Sequence, residues 1–278
     1  MPLDLSMELI QATVQLEQPL GDGTRTVGTG FLISDPGPDG KPHVVLVTAN
    51  HVLKRMPGPQ ATIGYRIQTA DGTWRYAPQT ITIRAGGKEL WTHHSTRDVA
   101  AITITAPAEF AKAAIPLNWL ASDETFGKYQ LGPGDEMMAL GFPQGLSANP
   151  AGFPILRSGR VASYPLTPST TFPTFLLDFS VFPGNSGGPV YMAEGNRRRA
   201  GVNSGEDAQF IAGMLTQQVE LGSQNLEIGI VTHAKFIRET VAMLDGAPQP
   251  PPEQLAKAAN PAPPTATAVA ADTAAVSR

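Results

Sequence analysis

The sequence predicts an all-β protein, built either as a pair of barrels or as a sandwich. Glycine and proline, with 28 and 26 residues, make up nearly a fifth of the 278-residue chain, which disfavours long helices. About a dozen short apolar, β-branched runs are separated by turn residues. No cysteine is present, which excludes disulfides, zinc–thiolate sites and thiol nucleophiles.

The predicted strands follow one another along most of the chain. They are Val27–Ser34, His43–Thr48, Thr62–Thr69, Gln79–Arg84, Val99–Thr105, Glu136–Gly141, Ile155–Ser163, Thr174–Val181, Pro189–Met192, Phe210–Val219 and Leu226–Thr232. A short helical turn is predicted at Asn50–Met56. A helix is predicted at His233–Leu244, because its apolar residues share one face and Gly246 and Pro248 follow as stop signals.

These elements indicate one folded unit, residues 1–246, with two β-rich halves. The N-terminal half covers about 1–115 and the C-terminal half about 134–232. Residues 106–133 carry several prolines and turn residues and are predicted to link them. The final stretch, 247–278, is mostly alanine and proline without an aromatic residue, so we expect a disordered tail.

The charge pattern excludes several classes of protein. Twenty Lys and Arg against 24 Asp and Glu give a net charge of −4, which predicts neither nucleic-acid binding nor a polybasic membrane anchor. No apolar run approaches the roughly 18 residues of a membrane span. The first two dozen residues lack basic residues and an apolar segment, so no signal peptide is expected. The sequence is compatible with a cytoplasmic protein and with a periplasmic or secreted protein whose leader was removed. It does not indicate the oligomeric state.

The strongest local signal is the segment 183–189, with the sequence PGNSGGP. Glycines on both sides of Ser186 allow the backbone to turn sharply, so that the hydroxyl projects while nearby N–H groups point into the same space. Such donors stabilise a tetrahedral oxyanion. The alternative is a glycine-rich turn in which Ser186 bonds only its own backbone.

A serine nucleophile needs a general base and a group that orients the base. His51 follows a buried strand at the start of a helical turn, and Asp98 directly precedes another apolar strand. Taken singly, His51 fits a structural histidine and Asp98 a solvated turn residue. The adjacent His93 and His94 do not indicate a metal site, because neighbouring side chains on an extended chain point to opposite sides and no third ligand is suitably spaced.

Together these residues resemble a known family. The segments GTGFLIS, VTANHV, RDVAAI, MALGFPQG, RSGRVAS, GNSGGP and IAGMLTQQ, and the order His, Asp, Ser, are similar to the trypsin/chymotrypsin superfamily, in particular its cysteine-free bacterial HtrA-like branch. The resemblance covers nearly all of the chain up to the final helix. It implies a chymotrypsin-like double six-stranded β-barrel with a short C-terminal helix. The residues after Leu244 are not expected to form the peptide-binding domain that often follows in HtrA-like enzymes.

The resemblance also implies roles for individual residues. Ser186 matches the nucleophile, His51 the general base and acid, and Asp98 the group that holds the imidazole tautomer. The backbone N–H groups of Gly184 and Ser186 match the oxyanion hole. Asn185 stands where the digestive enzymes have an aspartate that pairs with a newly cut N-terminus. An amide cannot form that ion pair, so we expect activity without N-terminal cleavage.

The same resemblance implies a specificity pocket. Ser180 matches the base of this pocket. Thr216, Gln217 and Gln218 match one wall, and Gly229 matches the other side. Gln218 stands where the family has a glycine. Because no carboxylate lies at the base, a preference for Lys or Arg is disfavoured, and small or medium aliphatic P1 residues are expected.

The resulting prediction is a serine endopeptidase that acts on protein or peptide substrates through an acyl-enzyme, without a cofactor or metal. A trypsin-like binding module that has lost catalysis, and an esterase or acyl hydrolase with the same triad, are the alternatives.

Overall fold

The computed structural model describes residues 4–36, 43–195, 198–199, 202–203, 207–221 and 224–246. Strands predominate over a few short helices, which confirms the all-β class. No helix within these ranges is long and apolar enough to span a membrane. The tail predicted at 247–278 lies outside the described residues.

The N-terminal half is built around one eight-stranded sheet. The strands of this half are β1 (Thr13–Pro19), β2 (Arg25–Asp35), β3 (His43–Thr48), β4 (Gln60–Gln68), β5 (Trp74–Thr82), β6 (Arg84–Ala85), β7 (Lys88–Glu89), β8 (Thr92–His93), β9 (Ala100–Ile104) and β10 (Ile115–Pro116). The sheet runs in the order β5-β4-β1-β2-β3-β9-β8, β10 pairs with β2, and β6 and β7 pair only with each other. This sheet differs from the six-stranded barrel implied by the resemblance. Among the described residues, the pairing runs from β5 to β8, and these two end strands do not pair to close a ring.

The C-terminal half contains the six-stranded barrel that was predicted. Its strands are β11 (Glu136–Gly141), β12 (Ile155–Val161), β13 (Thr174–Asp178), β14 (Pro189–Glu194), β15 (Arg198–Arg199), β16 (Val202–Asn203), β17 (Ala208–Leu221) and β18 (Gln224–His233). The closed ring has the order β11-β12-β13-β18-β17-β14, and β15 and β16 form a separate two-stranded sheet. We call this ring the C-terminal barrel.

Within the described ranges, five α-helices accompany the strands. They are α1 (Leu5–Ala12), α2 (Asn50–Lys54), α3 (Ala108–Ala113), α4 (Asp123–Lys128) and α5 (Ala234–Ala242). The Asp4 carboxylate caps α1 by accepting from two backbone N–H groups of its first turn, and Ser122 and Thr125 form a capping box at α4. Helix α5 confirms the predicted C-terminal helix.

Three features were not anticipated. Helix α1 and strand β1 precede the first predicted strand. The strand predicted at Gln79–Arg84 lies at Trp74–Thr82, and the predicted linker at 106–133 contains α3, β10 and α4. Strand β1 follows α1 without an intervening loop, so no turn residue marks where it begins.

In the described part of the chain, the core consists of two clusters of buried apolar side chains. One fills the C-terminal barrel, and the other joins the N-terminal sheet, α1 and α5. Helix α5 follows the last barrel strand, yet its buried Phe236, Ile237 and Val241 pack with the N-terminal cluster. The chain therefore crosses back over the seam between the halves, and the residues predicted to act chemically lie along that seam.

Candidate active site

The loop that carries Ser186, residues 182–188, consists of two consecutive tight turns. In each turn an N–H, that of Asn185 or Gly188, donates to the carbonyl three residues earlier, at 3.0 Å in both cases. The third residue of each turn, Gly184 or Gly187, has a positive φ, +96° and +92°. Positive φ at this position alone, with the closing hydrogen bond, defines a type II turn, which favours glycine there. We call residues 182–188 the serine loop.

The serine loop is packed too closely for side chains at its two turn glycines. A Cβ atom on Gly187 would lie 1.9 Å from the carbonyl oxygen of Thr29, and one on Gly184 would lie 2.3 Å from that of Phe142. Glycine is therefore required at both positions for two reasons: the backbone has a positive φ, and another backbone segment lies where a side chain would be.

Two N–H groups of the serine loop are free to bind an oxyanion. Within the described part of the chain, no acceptor pairs with the N–H of Gly184 or Ser186. The carbonyl of Pro183 accepts from the N–H of Gln144 at 2.6 Å. Because C=O and N–H point in opposite directions across a trans peptide, this bond directs the Gly184 N–H away from Gln144. Unpaired donors of this kind can stabilise the negative charge of a tetrahedral intermediate.

Strand pairing brings His51 and Asp98 together. Thr48 of β3 pairs with Ala100 of β9, so the three residues after β3 and the two before β9 lie at the same end of the sheet. The carboxylate of Asp98 contacts His51 twice: Oδ1 accepts from the backbone N–H at 2.9 Å, and Oδ2 lies 2.5 Å from Nδ1. Since a carboxylate only accepts, Nδ1 carries a proton, and in the neutral form of the imidazole Nε2 presents a lone pair.

The pKa of Asp98 reflects two opposing effects. Burial acts to raise the pKa of this carboxyl, but the hydrogen bonds and the charge of His51 outweigh burial and hold the pKa below its usual value. Asp98 therefore stays ionised near neutral pH, as a group that orients an imidazole must.

Ser186 faces the same cleft as His51. Both side chains line a cavity of about 380 Å³. The Ser186 hydroxyl donates to the carbonyl of Thr216 at 3.3 Å, and among the described residues no hydrogen bond joins it to His51. Catalytic hydrogen bonds are often long or misaligned before substrate binds, and rotation about one side-chain torsion redirects a hydroxyl.

The other predicted pocket residues divide between the cavity wall and the layer behind it. Thr216 and Gln217 line the cavity, whereas Ser180 and Gly229 do not. Gly229 is buried, and a Cβ atom there would lie 2.9 to 3.2 Å from Val181, Phe179 and Leu215. Gln218 pairs with Gly229 between β17 and β18. The space beside Gly229 is therefore occupied by apolar side chains of the protein itself.

Comparison with known proteins shows the family of the chain. A family model described as "Trypsin-like peptidase domain" matches residues 28–197, more than half of the chain. The chain belongs to the trypsin-like peptidase family. No curated protein sequence matches the chain.

Solved structures similar to this peptidase include the HtrA-type protease AlgW with tripeptide, at 17% sequence identity and a TM-score of 0.53. That match covers 88% of the peptidase and 64% of AlgW, so the chain spans slightly less than two thirds of that protein. The protease Anisep from Arthrobacter nicotinovorans is 15% identical, with a TM-score of 0.50, covering 85% of this chain and 96% of Anisep. At these identities the likeness concerns the fold.

The structure adds cleft residues that the sequence pattern had not indicated. Val181, Phe182 and Pro183 line the cavity of the peptidase directly before the serine loop turns, and Arg55 lies one helical turn after His51. The first three were within reach of sequence reasoning, because they continue the segment between Ser180 and Gly184. The position of Arg55 depends on the helical turn at α2.

Proposed function

We propose that this peptidase is a serine endopeptidase with Ser186 as nucleophile, His51 as general base and acid, and Asp98 as the orienting carboxylate. The observation that carries the proposal is that these groups meet at one cleft. Two hydrogen bonds join His51 to Asp98, Ser186 faces the same cavity as His51, and the N–H groups of Gly184 and Ser186 have no acceptor among the described residues. Each member supplies a part that acyl transfer needs.

The reaction proceeds in two halves. His51 Nε2 takes the hydroxyl proton as Ser186 Oγ bonds to the scissile carbonyl carbon, and the N–H groups of Gly184 and Ser186 bind the resulting oxyanion. His51 then gives the proton to the leaving amine, the C–N bond breaks, and an acyl-enzyme remains. Water, deprotonated by His51, adds to the acyl group, and Ser186 leaves with the proton returned.

We propose further that the peptidase prefers small or medium aliphatic P1 side chains. Val181 and Phe182 give the cavity wall next to Ser186 an apolar character, and no carboxylate is among the described residues that line it. In this proposal Thr216 and Gln217 form one wall of the P1 pocket, and Ser180 and Gly229 belong to the layer behind the cavity. A buried carboxylate is what a strong preference for Lys or Arg requires.

A peptide library tests both parts. The wild-type peptidase is expected to cleave peptide bonds after Val, Ala, Ile or Leu, and Ser186→Ala is expected to reduce turnover at least a thousandfold. A dominant cut after Lys or Arg would overturn the pocket assignment. Turnover of simple esters without any cleavage of the library would favour the acyl hydrolase instead.

A further inference from the structure

Thr29 of β2 contacts the serine loop from the other half of the molecule. Its side chain is fully buried. The backbone N–H of Thr29 donates to the carbonyl of Ser186 at 2.9 Å, and the hydroxyl donates to the carbonyl of Gly184 at 2.7 Å. These are the two residues whose N–H groups form the proposed oxyanion hole. We infer that Thr29 is a positioning residue for the oxyanion hole, an inference that rests on the proposed function of Ser186.

The contact with Gly184 matters because glycine does not restrain its own backbone. The carbonyl of Gly184 is held by Thr29, and the carbonyl of Pro183, on the other side of the Gly184 Cα, is held by Gln144. Both peptide planes around a residue with φ of +96° are thus fixed from outside the loop. The direction of the Gly184 N–H follows from these two planes.

Thr29 is itself fixed by further hydrogen bonds. Its hydroxyl accepts from the N–H of Phe142 at 3.1 Å, and its carbonyl accepts from the hydroxyl of Thr48 at 2.6 Å. The hydroxyl therefore acts as donor and acceptor at once, a combination that serine retains and valine lacks. The preorganisation of the oxyanion hole depends on both halves, because the hydroxyl joins residues 155 positions apart.

Substitution of the hydroxyl tests the inference. Thr29→Val keeps the shape and the backbone N–H but removes the bonds to Gly184 and Phe142. Loss of a whole oxyanion donor reduces kcat by roughly 10²–10³-fold, so a misdirected donor should reduce kcat at least about tenfold, with KM within about threefold. Thr29→Ser should stay within about threefold of wild type. If Thr29→Val does not fold, Thr29→Ala, which leaves room for a water molecule, is measured instead.

Thr240→Val is the matched control. Thr240 is also fully buried and donates its hydroxyl to a backbone carbonyl, that of Phe236 at 2.6 Å, but it lies in α5 away from the cleft. Thr240→Val should lower the melting temperature to a similar extent and leave kcat within about twofold. A kcat loss in Thr29→Val no larger than in this control would overturn the inference.

Amide hydrogen exchange gives a readout that does not depend on activity. Exchange in the serine loop should become at least about tenfold faster in Thr29→Val and stay unchanged in Thr240→Val. Unchanged exchange in Thr29→Val would also overturn the inference. Absence of Ser186-dependent turnover in the wild type would count against the proposed function, while the exchange experiment would still decide the role of Thr29.

Discussion

His233, at the end of β18, should make the stability of the C-terminal barrel depend on pH. Its side chain is only 2% exposed and lies between the rings of Phe126 and Phe175, with centroids 4.8 and 5.1 Å away. The Nε2 atom has no hydrogen-bond partner among the described residues. Burial lowers the pKa of His233 to about 4, although the charge of Asp123 and a hydrogen bond to the Leu166 backbone oppose the shift.

The sign and size of the effect follow from this pKa. An unfolded chain has a histidine pKa of about 6.5, so between pH 6.5 and 4 the unfolded state binds a proton that the folded state does not. The free energy of unfolding should therefore fall as the pH decreases through this range. At about 1.4 kcal/mol per pKa unit, the fall is roughly 3 kcal/mol in all, most of it complete by about pH 4.5.

Urea unfolding at a series of pH values measures this effect, with Ser186→Ala in every protein to prevent autolysis. His233→Gln should remove the part of the fall between pH 6.5 and 4.5 that the buried imidazole contributes, whereas the carboxyl groups that become protonated near pH 4.5 contribute equally in both proteins. His93→Gln, at an exposed histidine, is the matched control and should keep the wild-type dependence. Equal slopes in wild type and His233→Gln would refute the reasoning.

Three further predictions concern the cleft. Asp98→Asn should reduce kcat by about 10³–10⁴-fold with little change in melting temperature, because an amide favours the wrong imidazole tautomer; steady-state kinetics checks this. Gly187→Ala should lower the free energy of unfolding by more than 2 kcal/mol, because its Cβ atom would overlap a carbonyl oxygen of β2. Gly72→Ala is the control and should lower it by about 1 kcal/mol, because Gly72 also has a positive φ, +83°, but no atom lies within 4 Å of its Cβ position. Denaturant unfolding compares the two variants. Because residue 185 is the amide Asn185, a chain with an intact N-terminus should be fully active, and full turnover only after trimming would contradict this.

The sequence alone was sufficient for the all-β fold class, and it named His51 and Ser186, which line one cavity, and Asp98, which contacts His51. The strand patterns of β2, β3 and β9 and the glycines around Ser186 are local, so each can be interpreted within a few positions. The pairing of β3 with β9 then brings His51 and Asp98 together, as the order of the motifs indicated.

The remaining features depend on contacts between distant parts of the chain. Nothing near Thr29 in the sequence shows that its hydroxyl bonds a carbonyl 155 positions away. Likewise, the two-residue strand β8 is defined by its pairing with β9, which its own short sequence does not show. The rotamer of Ser186, which bonds Thr216 rather than His51, is a property of the assembled cleft.

Covalent labelling of Ser186 tests the central claim most directly. Intact mass spectrometry after treatment with a fluorophosphonate should show one adduct per wild-type chain and none on Ser186→Ala, with labelling of His51→Ala slowed at least a hundredfold. An unlabelled wild type, or equal labelling of wild type and Ser186→Ala, would contradict a nucleophilic serine activated by the His51–Asp98 pair.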